Sequence, residues 1–487
     1  MVLDITSNLG IWASGEGPLY RQLASALTRA IERGDLSPGT LLPAERTLAA
    51  SLAVSRTTLV SALDELKEDG LLDSRRGSGT WVSGAALGEQ ESRPAALART
   101  GAMRPFTRGS RALIDLTFDA PPPLPIVCDA LSGLAHLALD ELNPPHGYVP
   151  AGTAELREAI AGSLTVEGLL TSADEVLVTT GAQQALSLLA ASYVRAGDSV
   201  AVEDPGFPNA FDVFRAAGAD LAPLPLDREG LDLDALEDLC AARPPRLVYV
   251  TPTHQSPTGA VLGAGRRRRL ARIAERYRVT IVEDTALADI PLSDEPPPPA
   301  VAHYLPDSPV LLIGSMSKLF WGGLRVGWVR APKPVIRQLI RLKLMADIAT
   351  PIPSQLMATA LLPRTGEARD LRRAQYVPRL KRLSQALNEH LPEWSWTAPR
   401  GGFTLWARLP DGADARGFAA AALRDGVAIA PGPRLSPGER HGDCVRLAFM
   451  LDPDGLERGV ERLAETWVRW RQTPSARADE PAPPVFV

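Results

Sequence analysis

From about Ala112 onward, short apolar runs alternate with segments of helical periodicity, and no other feature of the sequence constrains the fold as strongly. Helical patterns occupy 181–195 and 264–278. Strands that alternate with helices pair in parallel, because each helix returns the chain to the starting edge of the sheet. The sequence therefore predicts a mainly parallel sheet with helices on both faces. Its strand-like runs are EVLVTT, SVAVE, RLVYVT, VTIVED and PVLLIGS.

The pattern changes beyond about Thr365. A long helix is followed by two strand-like runs, near GGFTLWARL and CVRLAFM, and by a closing helix at 453–472. We therefore expect a large domain over about 112–364 and a smaller α+β domain over about 365–472. The tail at 473–487 is rich in Pro, Ala and charged residues, and it is predicted to be disordered.

The N-terminal residues 14–84 follow a third pattern. Leu and Ile recur at four-residue spacing along 19–33, which places them on one face of a helix. A second short helix follows Pro43, and a third begins after Ser55, whose hydroxyl suits the N-cap position. The runs LLDSR and TWVSG then form a predicted hairpin, whose glycines permit the turn. This order predicts a winged helix, joined to the large domain by a basic linker at 85–111.

Length and composition limit the class of protein. A chain of 487 residues exceeds one compact core, so two or three folding units are expected. No apolar run approaches the ~20 residues of a membrane-spanning helix, and the start, MVLDITSNLGIW, lacks the features of a secretion signal. The three cysteines are far apart without metal-ligand spacing, which suits a reducing compartment. We therefore expect a cytoplasmic protein with no membrane association and no bound metal.

DNA binding cannot be argued from overall charge, which is −5, so it depends on where the arginines lie. A recognition helix presents its first turn to base edges in the major groove. Arg56 stands in that turn and can pair with a guanine edge, while Arg46 on the second helix can reach a phosphate. The candidate DNA-binding residues are Arg46, Ser55, Arg56, Thr57 and Thr58 on the helices, and Arg76 and Gly77 at the hairpin tip.

The run from Pro18 to Val82 resembles the DNA-binding domain of GntR-family regulators along its whole length. The segments Leu-Pro-Ala-Glu-Arg at 42–46, Val-Ser-Arg-Thr-Thr at 54–58 and Gly-Ser-Gly-Thr at 77–80 stand at the spacing of that family. The resemblance implies a double-stranded DNA operator as partner. A winged helix used only for protein contacts is the alternative.

Three features of the large unit point to one kind of cofactor site. Lys318 follows the apolar strand PVLLIGS, where burial removes water from its amine. Asp284 ends the strand VTIVED, at the edge of the sheet where ligands bind in such folds. Gly181 lies where a strand passes into a helix, so the free N–H groups there point at an anion. Pyridoxal 5'-phosphate (PLP) needs these three groups, for its aldehyde, its pyridine nitrogen and its phosphate.

Four further residues suit such a site. Arg325 and Ser315 are placed to reach the same phosphate, and Phe207 can stack on the pyridine ring, although a core position is the commoner fate of a phenylalanine. Arg446, on a predicted small-domain strand, can bind a carboxylate through two parallel hydrogen bonds. A structural salt bridge is the alternative role for Arg446.

In this order, from about 112 to 472, the motifs resemble fold type I, class I aminotransferases. The resemblance assigns Lys318 to the Schiff base, Asp284 to the pyridine nitrogen and Arg446 to an amino-acid carboxylate. It assigns Tyr148 to the phosphate of the neighbouring subunit. The resemblance assigns the binding of the cofactor phosphate in the same subunit to Gly181, Ala182, Gln183, Ser315 and Arg325.

A GntR-like head fused to such a domain, together with Thr-Pro-Thr-His-Gln-Ser-Pro-Thr-Gly at 251–259, resembles the MocR subfamily of regulators. The resemblance implies an aminotransferase-like domain that senses PLP or a PLP-reactive amine or amino acid. It also implies a head-to-tail homodimer. Operator binding is then expected to respond to the state of the cofactor site.

Two departures from the aminotransferase pattern bear on activity. Ser256 stands where aminotransferases usually carry asparagine, and Ala286 and Leu287 stand where they carry a tyrosine. Both missing groups hydrogen-bond the phenolic oxygen of the cofactor, so turnover should be impaired while binding survives. His254 and Gln255 are candidate replacements. The departures favour a regulator without physiological turnover over an active aminotransferase with an accessory winged helix, and a scaffold that merely kept both folds is a third possibility.

Overall fold

The computed structural model describes residues 9, 12–13, 17–32, 34–75, 79–83, 113–134, 146–305 and 310–472. The predicted linker at 85–111 and the tail at 473–487 lie outside the described residues. The hairpin-tip residues Arg76 and Gly77 also lie outside them. Across the described ranges, no helix combines the length and the apolar character that crossing a bilayer requires.

The N-terminal unit is a winged helix, as predicted. Leu23, Leu27 and Ile31 are buried in one apolar cluster to which all three helices and the hairpin contribute. Ser55 caps the third helix, because its hydroxyl accepts a hydrogen bond from the backbone N–H of Thr58 at 3.0 Å, which confirms the predicted N-cap. The described elements are α1 (Leu19–Glu32), α2 (Glu45–Ser51), α3 (Arg56–Glu68) and the antiparallel pair β1 (Leu72–Arg75) and β2 (Gly79–Val82).

The large domain is built on a sheet of eight described strands. They are β4 (Val176–Thr179), β5 (Ser199–Asp204), β6 (Asp220–Asp227), β7 (Gly230–Leu231), β8 (Leu247–Val250), β9 (Thr280–Asp284), β10 (Val310–Ser315) and β11 (Gly327–Arg330). Their order across the sheet is β4-β11-β10-β9-β8-β5-β6-β7. The pairs among β5, β6, β8, β9 and β10 are parallel, whereas β11 is antiparallel to both β4 and β10 and β7 is antiparallel to β6. The mainly parallel prediction is therefore confirmed.

Both faces of this sheet are covered by helices. Along β10, Leu311 and Ile313 belong to one apolar cluster, and Val310 and Leu312 belong to another. Successive side chains of a strand point to opposite faces, so a continuous apolar run marks a strand that is buried on both sides. The covering helices are α4 (Pro125–Gly133), α5 (Ala154–Val166), α6 (Ala182–Tyr193), α7 (Pro208–Ala216), α8 (Leu233–Ala242), α9 (Ala264–Tyr277), α10 (Lys333–Ala346) and α11 (Ile352–Leu361).

The small domain contains the long helix and the two strands predicted beyond Thr365. Its described elements are β3 (Ile114–Asp115), α12 (Thr365–His390), β12 (Ser395–Trp396), β13 (Thr404–Arg408), α13 (Ala415–Arg424), β14 (Val427–Ala428), β15 (Ala430–Pro431), β16 (Cys444–Ala448) and α14 (Pro453–Arg471). The larger of its described sheets has the order β12-β13-β16-β15. β3 lies within the range expected to begin the large domain, and it pairs in parallel with β14 of the small domain.

The winged helix contacts the small domain through the turn between α2 and α3. Arg424, the last residue of α13, donates hydrogen bonds to the backbone carbonyls of Leu52 and Ala53. Ala53 also packs against the apolar cluster that extends through the small domain and along one face of the large sheet. The turn that precedes the recognition helix is therefore attached to the small domain.

Candidate functional site

The predicted cofactor residues meet at one edge of the large sheet. Asp284 ends β9 and Ser315 ends β10, and these two strands pair in parallel with Ile313 opposite Asp284. Lys318 follows three residues after the end of β10, and Gly181 follows β4. Because parallel strands end at the same edge, the residues after them form one crevice, which is where ligands bind in open α/β sheets.

The amine of Lys318 lies against Asp119, a residue that sequence reasoning missed. Lys318 Nζ donates to the backbone carbonyl of Asp119 at 2.8 Å and lies 3.1 Å from its Oδ1. The side chains of Lys318 and Asp119 are 24% and 30% exposed, so both are half-buried. The surroundings of the amine therefore include a carboxylate as well as the apolar strand that the sequence predicted.

Asp284 is buried and held by two hydrogen bonds. Its Oδ2 accepts from the hydroxyl of Tyr249 at 2.8 Å, and its Oδ1 accepts from the backbone N–H of Ala286 at 2.8 Å. Burial raises the pKa of Asp284, although both hydrogen bonds and the nearby charge of Lys318 oppose that shift. A buried carboxylate of this kind gains most from a cationic partner, such as a protonated ring nitrogen. The signal for Tyr249 was a hydroxyl group within the otherwise apolar strand LVYV.

An anion cup surrounds Gly181. Its φ of 97° is unfavourable for other residues, and a Cβ atom at this position would lie 3.0 Å from Arg325 Nη2. The same guanidinium donates to the carbonyl of Thr180. A Cβ atom at Gly327 would lie 2.8 Å from both Gly181 Cα and the carbonyl oxygen of Gly314, so Gly327 on β11 lies between the Gly181 turn and the end of β10, where Ser315 is buried.

Helix α6 begins at Ala182, so the N–H groups of Ala182 and Gln183 belong to its first turn and have no intrahelical acceptor. Together with Arg325 they provide donors and positive potential for a phosphate. Because Gly181 has no side chain, the Arg325 guanidinium can lie close to this turn; a Cβ atom at residue 181 would contact it. The residues present therefore fit PLP: an amine for its aldehyde, a buried carboxylate for its ring nitrogen and a cup for its phosphate.

Two other candidates occupy different surroundings. Phe207 is the N-cap residue of α7, where it is half-buried and packs against an apolar cluster of the large domain. Tyr148 is 62% exposed, and its backbone N–H donates to His146 Nδ1 at 3.1 Å. The roles of Phe207 and Tyr148 toward the cofactor stay predictions.

His254 and Gln255 are both engaged in the structure of their own loop. His254 Nδ1 must carry a proton, because it donates to the carbonyl of Leu287 at 2.8 Å, and the ring packs on Gly401. Burial lowers the pKa of His254 to about 4, so the imidazole is neutral at physiological pH. Gln255 donates to the carbonyl of Pro205 at 2.8 Å and accepts from the hydroxyl of Thr258 at 2.7 Å. The Nδ1–H group of His254 and the amide of Gln255 are therefore already hydrogen-bonded within the protein, and neither is free to replace the missing asparagine.

Arg446, on β16, faces the same carboxylate as Lys318. Its Nη2 donates to the carbonyl of Thr117 at 2.6 Å, and its Nη1 lies 3.8 Å from Asp119 Oδ2. Its Nε is buried without a hydrogen-bond partner among the described residues. Arg446 therefore reaches the site from the small domain, and Asp119 lies between it and Lys318.

A buried arginine joins the two chain segments that form this part of the site. Arg372 on α12 donates to the carbonyls of Leu319 at 2.7 Å, Phe320 at 2.8 Å and Pro122 at 2.8 Å. Burial lowers the pKa of Arg372 to about 10, and the guanidinium remains charged at neutral pH. The loop that carries Lys318 is thus attached to the segment that carries Asp119.

The candidate DNA-binding residues that the structure describes lie on an accessible face of the winged helix. Arg56 is 74% exposed, and its guanidinium forms an ion pair with Glu45 Oε2 at 3.1 Å. Arg46 and Thr57 are also exposed. Ser55 is exposed as well, and its hydroxyl caps α3 and contacts that of Thr58; its role toward DNA stays a prediction.

Comparison with known proteins agrees with this division of the chain. Residues 19–82 match the bacterial regulatory proteins of the gntR family, and residues 134–463 match the aminotransferases of class I and II. The solved structure of LysN, the α-aminoadipate aminotransferase of Thermus thermophilus complexed with N-(5'-phosphopyridoxyl)-L-leucine, is 29% identical with a TM-score of 0.68. That likeness covers 74% of this chain and 93% of LysN.

The fold and the two matches define a transcription regulator built from a gntR-type head and an aminotransferase-like domain. The probable rhizopine catabolism regulatory protein MocR of Rhizobium meliloti is 31% identical over 93% of this chain and 94% of its own length. The HTH-type transcriptional regulator YdfD of Bacillus subtilis (strain 168) is 28% identical over 92% and 95%. This chain belongs to the family of MocR-type HTH transcriptional regulators.

Proposed function

We propose that this regulator binds PLP on Lys318 and changes its affinity for operator DNA when PLP, or a primary amine that reacts with PLP, occupies the site. The observation that supports this most strongly is the convergence of Lys318, Asp284 and the Gly181–Arg325 cup at one sheet edge. The proposal keeps the predicted domain limits at 14–84 and 112–472 and places the protein in the cytoplasm.

Each residue has a distinct task in this proposal. When bound, PLP supplies an aldehyde that reacts reversibly with primary amines. Lys318 provides the resting amine for that aldehyde, and Asp284, oriented by Tyr249, keeps a proton on the ring nitrogen. Arg325 and the first turn of α6 hold the phosphate.

The route from the site to the DNA-binding head is a continuous set of contacts. Asp119 follows β3, whose neighbour Leu116 donates to the carbonyl of Ala428 at 2.9 Å in the small domain. Ala428 lies on β14, and Arg424 lies three residues before β14. Arg424 donates hydrogen bonds to the turn that precedes the recognition helix. A shift of the small domain on ligand binding would therefore displace the head, which is a population shift between two arrangements.

We further propose a head-to-tail homodimer in which Tyr148 reaches the cofactor phosphate of the partner subunit. The high exposure of Tyr148 supports this role, since 62% of an aromatic residue is left for another surface to cover. In such a dimer both heads would contact half-sites about one helical turn apart.

The test compares Lys318→Ala with Lys333→Ala as a control. Lys333 is an exposed lysine at the start of α10, paired with Asp174 at 3.2 Å and distant from the site. Titration with PLP should produce the visible absorbance of lysine-bound cofactor in the wild type and in the control, and not in Lys318→Ala. Fluorescence anisotropy on operator DNA should respond to PLP in the same two proteins only. An unchanged spectrum in Lys318→Ala would refute the assignment.

The alternative is a working aminotransferase with an accessory winged helix, and the presence of the lysine, the aspartate and both arginines favours it. Ser256, Ala286 and Leu287 weigh against it, because the two candidate replacements, His254 and Gln255, already hydrogen-bond to backbone carbonyls of the protein. Incubation with amino donors and 2-oxo acids separates the two. Rapid multiple turnover would favour the enzyme, whereas at most slow conversion together with PLP-dependent DNA binding favours the regulator.

A further inference from the structure

Asp119 is the one acidic side chain described between the two cations of the site. Its Oδ1 lies 3.1 Å from Lys318 Nζ, and its Oδ2 lies 3.8 Å from Arg446 Nη1. Burial alone would raise the pKa of Asp119, but Lys318 and Arg446 together bring it below its ordinary value. Asp119 is therefore ionised, and it partly neutralises the arginine to which the resemblance assigns the carboxylate of an amino acid.

The segment that carries Asp119 is braced on both sides. Before it, the side chain of Asp115 accepts from the backbone N–H of Thr117 at 2.8 Å, and the carbonyl of Thr117 accepts from Arg446. After it, the carbonyl of Pro122 accepts from the buried Arg372. The backbone is thus tied to β16 and α12 of the small domain, so the carboxylate cannot leave the site by a simple shift of a free loop.

This placement discriminates between two classes of ligand. An α-amino acid that reacts through its nitrogen near Lys318 carries its carboxylate on the adjacent carbon, which brings it beside Asp119. Two carboxylates would then share one guanidinium in a half-buried site, where like charges repel more strongly than in bulk water. An amine without that carboxylate leaves the contact between Asp119 and Arg446 intact, and its ammonium group is attracted by Asp119 as it enters.

We propose that Asp119 is an internal counter-ion of Arg446 and a specificity-determining residue, which makes the site select primary amines that lack an α-carboxylate over α-amino acids. This inference rests on the proposed binding of PLP at Lys318. It also gives Arg446 a different task from the one expected, since Asp119 balances its charge instead of the carboxylate of a ligand.

The test uses pairs of ligands that differ only by the carboxylate: L-phenylalanine with 2-phenylethylamine, and L-leucine with 3-methylbutylamine. Each ligand is titrated into the PLP-loaded full-length protein, and the change in cofactor absorbance gives its apparent Kd. Opposite or like charges within a few ångströms change such equilibria by about tenfold or more. The wild type should therefore bind each amine at least about tenfold more tightly than its amino acid.

Asp119→Asn should reduce that preference to about twofold or less, because it removes the charge and keeps the shape. Asp129→Asn is the matched control: Asp129 lies on α4, pairs with Arg364 at 3.1 Å and is 66% exposed. The control should keep the wild-type preference. Equal binding of both members of a pair by the wild type, or an unchanged preference in Asp119→Asn, would overturn the proposal.

A second variant keeps the proposal testable if Asp119→Asn does not bind PLP. Arg446→Gln should bind the amines within about threefold of the wild type, because they do not use the arginine; a larger loss would contradict the proposal. Failure of the underlying function gives a different result: the wild type would then show no visible cofactor band with PLP alone, before any amine is added.

Discussion

Substitution of Gly181 by alanine tests whether the turn after β4 holds the cofactor phosphate. The residue has φ of 97°, a left-handed conformation that costs a residue with a Cβ atom about 1–2 kcal/mol. The new Cβ atom would also lie 3.0 Å from Arg325 Nη2, but that atom ends a flexible, exposed side chain and can move. The strain is therefore the main effect.

In the PLP-free variant the turn can relieve this strain by moving to negative φ, which turns the N–H groups of the cup away from the phosphate. PLP must then restore the strained conformation on binding. At 1.4 kcal/mol for each factor of ten, a cost of about 1–2 kcal/mol weakens PLP binding by about 5- to 30-fold. Titration of the cofactor absorbance against PLP concentration measures this change.

Gly197→Ala is the matched control. Gly197 has φ of 84° in a turn with open space around the position of a Cβ atom, so the substitution introduces comparable strain outside the site. Gly197→Ala should lose stability toward urea without losing PLP affinity, whereas Gly181→Ala should lose PLP affinity. If Gly181→Ala binds PLP as tightly as Gly197→Ala does, the turn at 181 is not the phosphate cup.

Three further substitutions test other parts of the account. Arg56→Ala should weaken operator binding by about 1–3 kcal/mol in an anisotropy titration if Arg56 contacts a base, and unchanged affinity would remove it from the interface. Arg424→Ala should leave PLP affinity unchanged and reduce the effect of PLP on DNA affinity; a full effect would exclude this contact as the route. Burial raises the pKa of Glu203 from 4.5 to about 7, so the native state holds this proton more tightly than the unfolded state, and stability is lost as pH rises between these values. Glu203→Gln should remove that loss in urea unfolding followed from pH 4 to 8, and an unchanged pH profile would contradict it.

Local sequence patterns predicted the strands, the helices and the residues that follow the strands. Lys318 and Asp284 could be placed at one edge because the ends of neighbouring parallel strands coincide, which is a property of the architecture. The hydroxyl of Ser55 could be assigned as a cap because capping depends on residues close in sequence.

Contacts between distant segments could not be predicted in this way. Asp119 lies in a proline-rich stretch without periodicity, and its position depends on the pairing of β3 with β14 more than 300 residues later. The hydrogen bond from Tyr249 to Asp284 likewise depends on the pairing of β8 with β9. The engagement of His254 by Leu287 was also hidden, since only the folded loop brings this carbonyl to the ring.

The position of Arg372 has a consequence for how tightly any ligand can bind. Its guanidinium joins Pro122 to Leu319 and Phe320 in the folded protein itself, so folding has already met the entropic cost of bringing these segments together. A ligand that enters the crevice therefore finds these two chain segments already in position. Its binding free energy is then available for discrimination between chemical groups instead of for ordering the chain.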